Sequence, residues 1–135
     1  MKNFKKLASR VIALAAICVL AFGLTACGAK KKAFSVYVFD QDGNLTTFEG
    51  KTNAEYLKDA IDDIKDLTID GSEESWGYYL TTINGLEANY DEDGAYWSLY
   101  VNNEYGNYGI DQQPVNDGDN FTFIYEVYTG EEGVG

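Results

Sequence analysis

Histidine is absent from all 135 residues, arginine does not recur after Arg10, and lysine stops at Lys65. Residues 66–135 therefore carry no side-chain cation at all. Each absence removes a class of chemistry. Nucleic-acid binding needs lysine and arginine to neutralise phosphates, so it is excluded. A phosphate or carboxylate ligand would find no guanidinium clamp. General acid–base catalysis by histidine and zinc sites of the His/Cys kind have no residues to use. Cysteine is nearly missing too, with only Cys18 and Cys27. The single proline, Pro114, argues against a central strand where it stands.

What is present begins with a segment that reads as outside the fold. Lys2, Lys5, Lys6 and Arg10 precede an apolar run from Val11 to Gly23, and Leu24-Thr25-Ala26-Cys27 follows. That is the layout of a secretory signal peptide over residues 1–26. The L-T-A-C ending resembles the bacterial lipobox, which implies cleavage before Cys27 and lipidation of that residue. The apolar run is short for a membrane span of about 20 residues, the alternative reading. The expected place is the cell membrane, lipid-anchored on the extracytoplasmic side, with residues 27–33 as lipidated cysteine and basic tether. Acyl chains, each adding about 0.8 kcal/mol per buried CH₂, hold firmly only in combination.

Cleavage would leave residues 27–135, enough for one small domain and one core. Cys18 would depart with the signal, so packing and not a disulfide must stabilise the domain. All 22 acidic residues lie in this part with only six of the ten basic ones, a side-chain net charge of −16.

Along that part, Phe34–Phe39 reads as a strand, Asp40-Gln41-Asp42-Gly43-Asn44 as a turn, and Leu45–Glu49 as the returning strand. The D-Q-D-G-N run also resembles the opening of a calcium loop. Lys51, however, stands where such a loop needs its glutamate. Thr52–Asp66 is expected to be the one helix. It opens on a Thr52/Glu55 capping box and carries the apolar stripe Ala54, Leu57, Ala60, Ile61 and Ile64. Leu67–Ser75 reads as a polar connector.

Strands are then expected at Trp76–Ile83, Leu86–Asn89, Ala95–Asn102 and Phe121–Tyr128, with Asn84-Gly85, Tyr90–Gly94 and Asn116–Asp119 as turns. In Ala95–Asn102, alternation sends Trp97, Leu99 and Val101 to one face and Tyr96, Ser98 and Tyr100 to the other. Trp97, with apolar company, is the expected core residue. Glu104–Gln113 is a glycine-rich aromatic loop, and 129–135 an acidic tail.

Hairpin, helix, then strands is an α+β order that suits a β-grasp-like fold: one helix packed on a mixed or antiparallel sheet. Several runs carry a resemblance in their order and spacing. They are Gly77-Tyr78-Tyr79-Leu80-Thr81-Thr82-Ile83-Asn84-Gly85, Tyr96-Trp97, Asn102-Asn103-Glu104, Gly109-Ile110 and Asp117-Gly118-Asp119. Together they resemble the transcobalamin C-terminal-like domain family across residues 34–128. The resemblance implies a β-domain that closes over one face of cobalamin, with an α-barrel on the other face. It points to Tyr96, Trp97, Tyr108 and Gly109, with Ile110 behind them, as ligand contacts.

The residues alone point to an aromatic patch. Tyr90, Tyr96, Tyr105 and Tyr108, with Trp76 and Tyr79 adjacent, suit a planar ring, a sugar or a partner. The alternative is that these tyrosines are simply strand formers. Acidic turns at Asp91, Glu92, Asp93, Asp117 and Asp119 offer oxygen ligands to calcium, but turns use Asp and Gly in any case. Paired carboxylates serve glycosidases only in a deep cleft, so no enzyme, resident cofactor or metal is expected. The expected function is a cell-surface lipoprotein that binds a corrinoid or another flat neutral ligand, in uptake. The alternative is a non-catalytic protein-interaction or structural module that docks a surface protein.

Overall fold

The computed structural model describes residues 31–129. The segment expected to be a signal peptide, Cys27 and the tail from residue 130 lie outside them. Strand makes up 52% of the structure and helix 9%, so the α+β class holds with sheet dominant.

Two sheets form in place of the single sheet expected. The five-stranded one has the order β2-β1-β8-β6-β7. It is built from β1 (Lys32–Phe39), β2 (Leu45–Thr52), β6 (Ala95–Val101), β7 (Glu104–Tyr105) and β8 (Asp119–Val127). β1 pairs β8 in parallel and every other pairing is antiparallel. The three-stranded sheet, order β3-β4-β5, comprises β3 (Ile69–Glu74), β4 (Gly77–Ile83) and β5 (Leu86–Glu87).

Period-two alternation puts one row of each long strand into the core. Val36 and Val38 of β1 stand in register with Phe121 and Phe123 of β8, Phe34 meets Phe121 edge to face, and all five are buried. Trp97, Leu99 and Val101 pack against the same cluster from β6, as alternation predicts. Tyr78, Leu80 and Ile83 cover that face from β4. The opposite face of β6 holds the buried Ser98, whose Oγ donates to the Glu126 carboxylate at 2.7 Å.

The expected helix is much shorter than its apolar stripe. α1 spans Leu57–Ile61, and the capping box does not form. Thr52 is the last residue of β2; its hydroxyl accepts from the Ala54 amide and donates to Asp63. Residues 55–58 bond instead to the segment ahead of β8. The Leu57 amide donates to the Gln113 carbonyl, Lys58 to Ile110, and Val115 to Glu55. After Ile61 the bonds tighten to i→i−3 steps, Ile64 to Ile61 and Leu67 to Ile64, so the chain continues as successive turns. Most of the stripe survives: Leu57, Ala60, Ile61 and Ile64 are buried, joined by Leu67, while Ala54 is half-buried.

Other differences have simple causes. The polar connector 67–75 contains β3, an exposed edge strand whose solvent-facing residues give no apolar period. Tyr90–Asp93 is a single helical turn, α2, capped by the Asn89 side chain and ended by Gly94 at φ 69°. Tyr105 lies in β7, not in a loop, because Asn102 and Asn103 adopt φ 51° and 70° and fold the chain back tightly. Lys32 was expected in a free tether but begins β1. Its ammonium donates to the Ala54 and Val115 carbonyls at 2.7 and 2.9 Å.

Candidate functional site

A cleft of about 190 Å³ opens between the two sheets. β4 supplies one wall through Tyr78, Tyr79 and Leu80, with Trp76 at its lip. β6 supplies Trp97 and Leu99, and the segment from β7 onward supplies Tyr105, Gly106, Tyr108, Gly109 and Ile110. Phe123 of β8 lies at the floor. Not one lining side chain is charged.

The lips are aromatic and open to solvent: Tyr105 is 65% exposed, Trp76 61% and Tyr108 56%. Trp76 meets Tyr79 edge to face at 6.1 Å, and Tyr105 meets Tyr100 at 5.6 Å. The Trp76 and Tyr105 rings are thus braced in place before any ligand arrives, which limits the entropy lost on binding. Burial first, and then the nearby Asp70, Glu73 and Asp62 carboxylates, push the Tyr78 phenol above its ordinary value, keeping it neutral. Lys58 sits 4.6 Å over the Tyr78 ring.

Backbone contacts hold the far wall. The Gly106 amide donates to the Leu99 carbonyl at 2.8 Å, and the Ile110 carbonyl receives Lys58. A methyl group on Gly109 would come within 3.2 Å of the Asp111 carboxylate, and one on Gly77 within 3.3 Å. Glycine at both places lets the two walls close around Asp111.

Trp97, Tyr105, Tyr108, Gly109 and Ile110, singled out from the sequence, come together at this cleft. Ile110 is only 4% exposed and forms floor, not surface. Tyr96 does not join them. It sits on the other face of β6, 6.4 Å from Tyr90, which itself stacks on Tyr128. The tyrosines thus form two groups, and Tyr90 belongs with Tyr96. Leu80, Tyr78 and Phe123 were missed because strand pairing, and no local motif, brings them here.

The acidic turns at Asp40 and at Asp117–Asp119 spend carboxylates on the backbone. Asp40 accepts from the amides of Asp42 and Asn44 at 2.8 and 2.9 Å. Those bonds, Asn44 first, hold its carboxyl below the usual carboxylate range. Asp117 accepts from the Ala33 amide and Asp119 from the Asn116 amide. Among the described residues no three His, Cys, Asp or Glu side chains gather in a metal-binding group.

The profile of a domain of unknown function, DUF4430, matches residues 50–127, which takes in the cleft and both sheets' central strands. The chain belongs to this family. Among solved structures, this DUF4430 chain is similar to a candidate metal-binding protein from Ruminococcus gnavus ATCC 29149. The two are 30% identical, with a TM-score of 0.66, over 72% of this chain and 98% of that one. It is also similar to haptocorrin in complex with Cbi, at 25% identity and a TM-score of 0.56. That match covers 73% of this chain but only 26% of haptocorrin, so the DUF4430 fold corresponds to a minor part of the larger protein. The likeness supports a transcobalamin-like relationship. A search of curated proteins gives no match.

Proposed function

We propose that this DUF4430 domain is a non-catalytic binding module that takes a flat, uncharged ligand, a corrinoid foremost, across the aromatic lips of the cleft. The observation that carries this reading is the cleft's lining: mostly aromatic and aliphatic, with Ser98 as the one small hydroxyl and no charge. Its size sets the binding mode. Enclosing pockets for small molecules run to about 300–1,000 Å³, well above the volume found here. A corrin-sized ring would therefore lie over Trp76, Tyr79, Tyr105 and Tyr108, with one edge group entering the cleft. The likeness to part of haptocorrin supports the same class of ligand.

In this proposal the L-T-A-C segment directs lipidation of Cys27, and the anchored domain presents ligand at the outer face of a bacterial membrane for uptake. Residues 1–30 lie outside the described part, so this rests on the sequence pattern alone. Titration calorimetry of the chain against cobalamin and a base-free corrinoid tests the ligand. Saturable heat is expected, weakened by Tyr108→Ala; no heat with any corrinoid or with a glycan panel overturns it.

A second reading is favoured by the exposure of the lips. Braced aromatic side chains at a rim are what protein hot spots use. Under that reading the same face docks a surface protein, small molecules give no heat, and partner capture is lost in Tyr105→Ala/Tyr108→Ala.

A further inference from the structure

The open edge of β2 has a charge pattern unlike the rest of the molecule. Residues 31–52, the β1–β2 hairpin, hold Lys31, Lys32 and Lys51 against Asp40, Asp42 and Glu49, a net charge of zero. Residues 53–129 hold Lys58 and Lys65 against 17 acidic side chains, a net charge of −15. Any approach of two copies through the acidic part is opposed by like charge. Approach through this hairpin is not.

Among the described residues β2 ends the five-stranded sheet, so one of its sides carries backbone groups that no described strand pairs. The phase of that edge follows from the turn. The Asp40 amide donates to the Asn44 carbonyl at 3.0 Å. Bonding pairs then recur at Val38–Thr46, Val36–Phe48, Phe34–Gly50 and Lys32–Thr52. The amides and carbonyls of Leu45, Thr47, Glu49 and Lys51 are left pointing outward. The strand has no proline and no bulge in its pairing.

We propose that β2 pairs with β2 of a second copy, antiparallel about a two-fold axis at Gly50, joining two five-stranded sheets edge to edge. Charge chooses this register. Centred on Glu49 or on Lys51, the axis sets like charges directly opposite, which is unfavourable. Centred on Phe48, it sets Lys51 opposite Leu45 and Glu49 opposite Thr47. Centred on Gly50, it sets Glu49 of each copy opposite Lys51 of the other, in outward-bonding positions. Both side chains are exposed on the same face of β2. Charged residues on an edge usually exclude strange strands. Here the two that exclude others complement each other, so the edge selects its own copy. The proposal is independent of the ligand, because the cleft lies at β4, β6 and β7.

Analytical ultracentrifugation of the full chain in density-matched detergent provides the test. The wild type is expected to show a concentration-dependent monomer–dimer equilibrium. Glu49→Lys alone and Lys51→Glu alone each place like charges at both crossings and are expected to weaken the dimer by about tenfold. The double variant Glu49→Lys/Lys51→Glu restores opposite charges and is expected to return the dimer to within about twofold of wild type. A monomer at every concentration overturns the proposal. So does a dimer indifferent to the single reversals, or one that the double reversal fails to restore.

Discussion

The indole Nε1 of Trp97 donates to the main-chain carbonyl of Thr81 at 3.1 Å, tying the five-stranded sheet to the three-stranded one. A bulge presents that carbonyl. Pairing steps from Asp70–Thr82 to Gly71–Leu80, which leaves Thr81 as an extra residue on β4. The same oxygen also accepts from the Ala88 amide at 2.8 Å, so both of its lone pairs are used. Trp97 further meets Tyr125 edge to face at 5.5 Å.

Trp97 should therefore be felt first in stability. Trp97→Phe keeps an aromatic ring but loses the bond to Thr81, whose carbonyl retains Ala88; a cost of about 1 kcal/mol is expected. Trp97→Ala also empties the space between the sheets and is expected to cost about 3 kcal/mol. Urea denaturation of both variants checks the order. Equal costs would mean that the bond contributes nothing beyond the ring.

Lys32 gives a second expectation. Its ammonium joins the start of β1 to the carbonyls of Ala54 and Val115, far apart in the sequence. Lys32→Met leaves both carbonyls without that donor and is expected to destabilise by about 1–3 kcal/mol. Lys31→Met, one residue earlier on the exposed end, is expected to change stability by less than about 0.5 kcal/mol. Equal effects would return Lys32 to the role of a basic tether residue.

These two residues also show where the sequence was readable. Trp97 reached its face by alternation, and Asn84-Gly85 and Asn102-Asn103 turned as their residue types require, each asparagine at positive φ. Local chemistry decides such features, so local reading finds them. Lys32, the shortened α1 and β3 were decided by distant partners. Thr52 and Glu55 match a capping box, yet residues 55–58 bond to residues 110–115 instead. β3 has Ile69 as its only large apolar residue and exists because β4 lies beside it. The cleft is the same case on a larger scale, since β4, β6 and the segment after β7 each contribute part. Tyr96 fell to the wrong face for a cleft residue for the reason that put Trp97 on the right one.

Asp40 couples the β1–β2 turn to pH. Its carboxyl is held below the ordinary value by the Asn44 and Asp42 amides, so the ionised form stabilises the fold. That contribution is present above the unfolded value of about 3.9 and is lost as pH falls through the lowered folded value. Asp40→Asn removes it. Near neutral pH the variant is expected to melt below wild type. The difference should begin to close below about pH 4 and vanish as pH falls past the lowered folded value. A gap that persists in acid would mean the turn depends on side-chain shape and not on charge.

The two tyrosine groups permit the sharpest separation of binding from folding. Tyr105 and Tyr108 are more than half exposed, so truncating them removes little buried surface. Tyr105→Ala and Tyr108→Ala are each expected to shift unfolding by no more than about 0.5 kcal/mol. If a corrinoid lies across the lips, each should weaken it by about tenfold, the effect of losing an aromatic anchor. Tyr96→Ala serves as the control on the opposite face of β6. It disturbs the contact with Tyr90 but leaves the cleft lining intact, so corrinoid affinity should stay within about twofold of wild type. Calorimetry on the three variants reads the result. Loss of affinity in Tyr96→Ala with none in Tyr108→Ala would move the site to the Tyr90–Tyr96–Tyr128 face, where carboxylates of α2 would favour a cationic ligand over a neutral one.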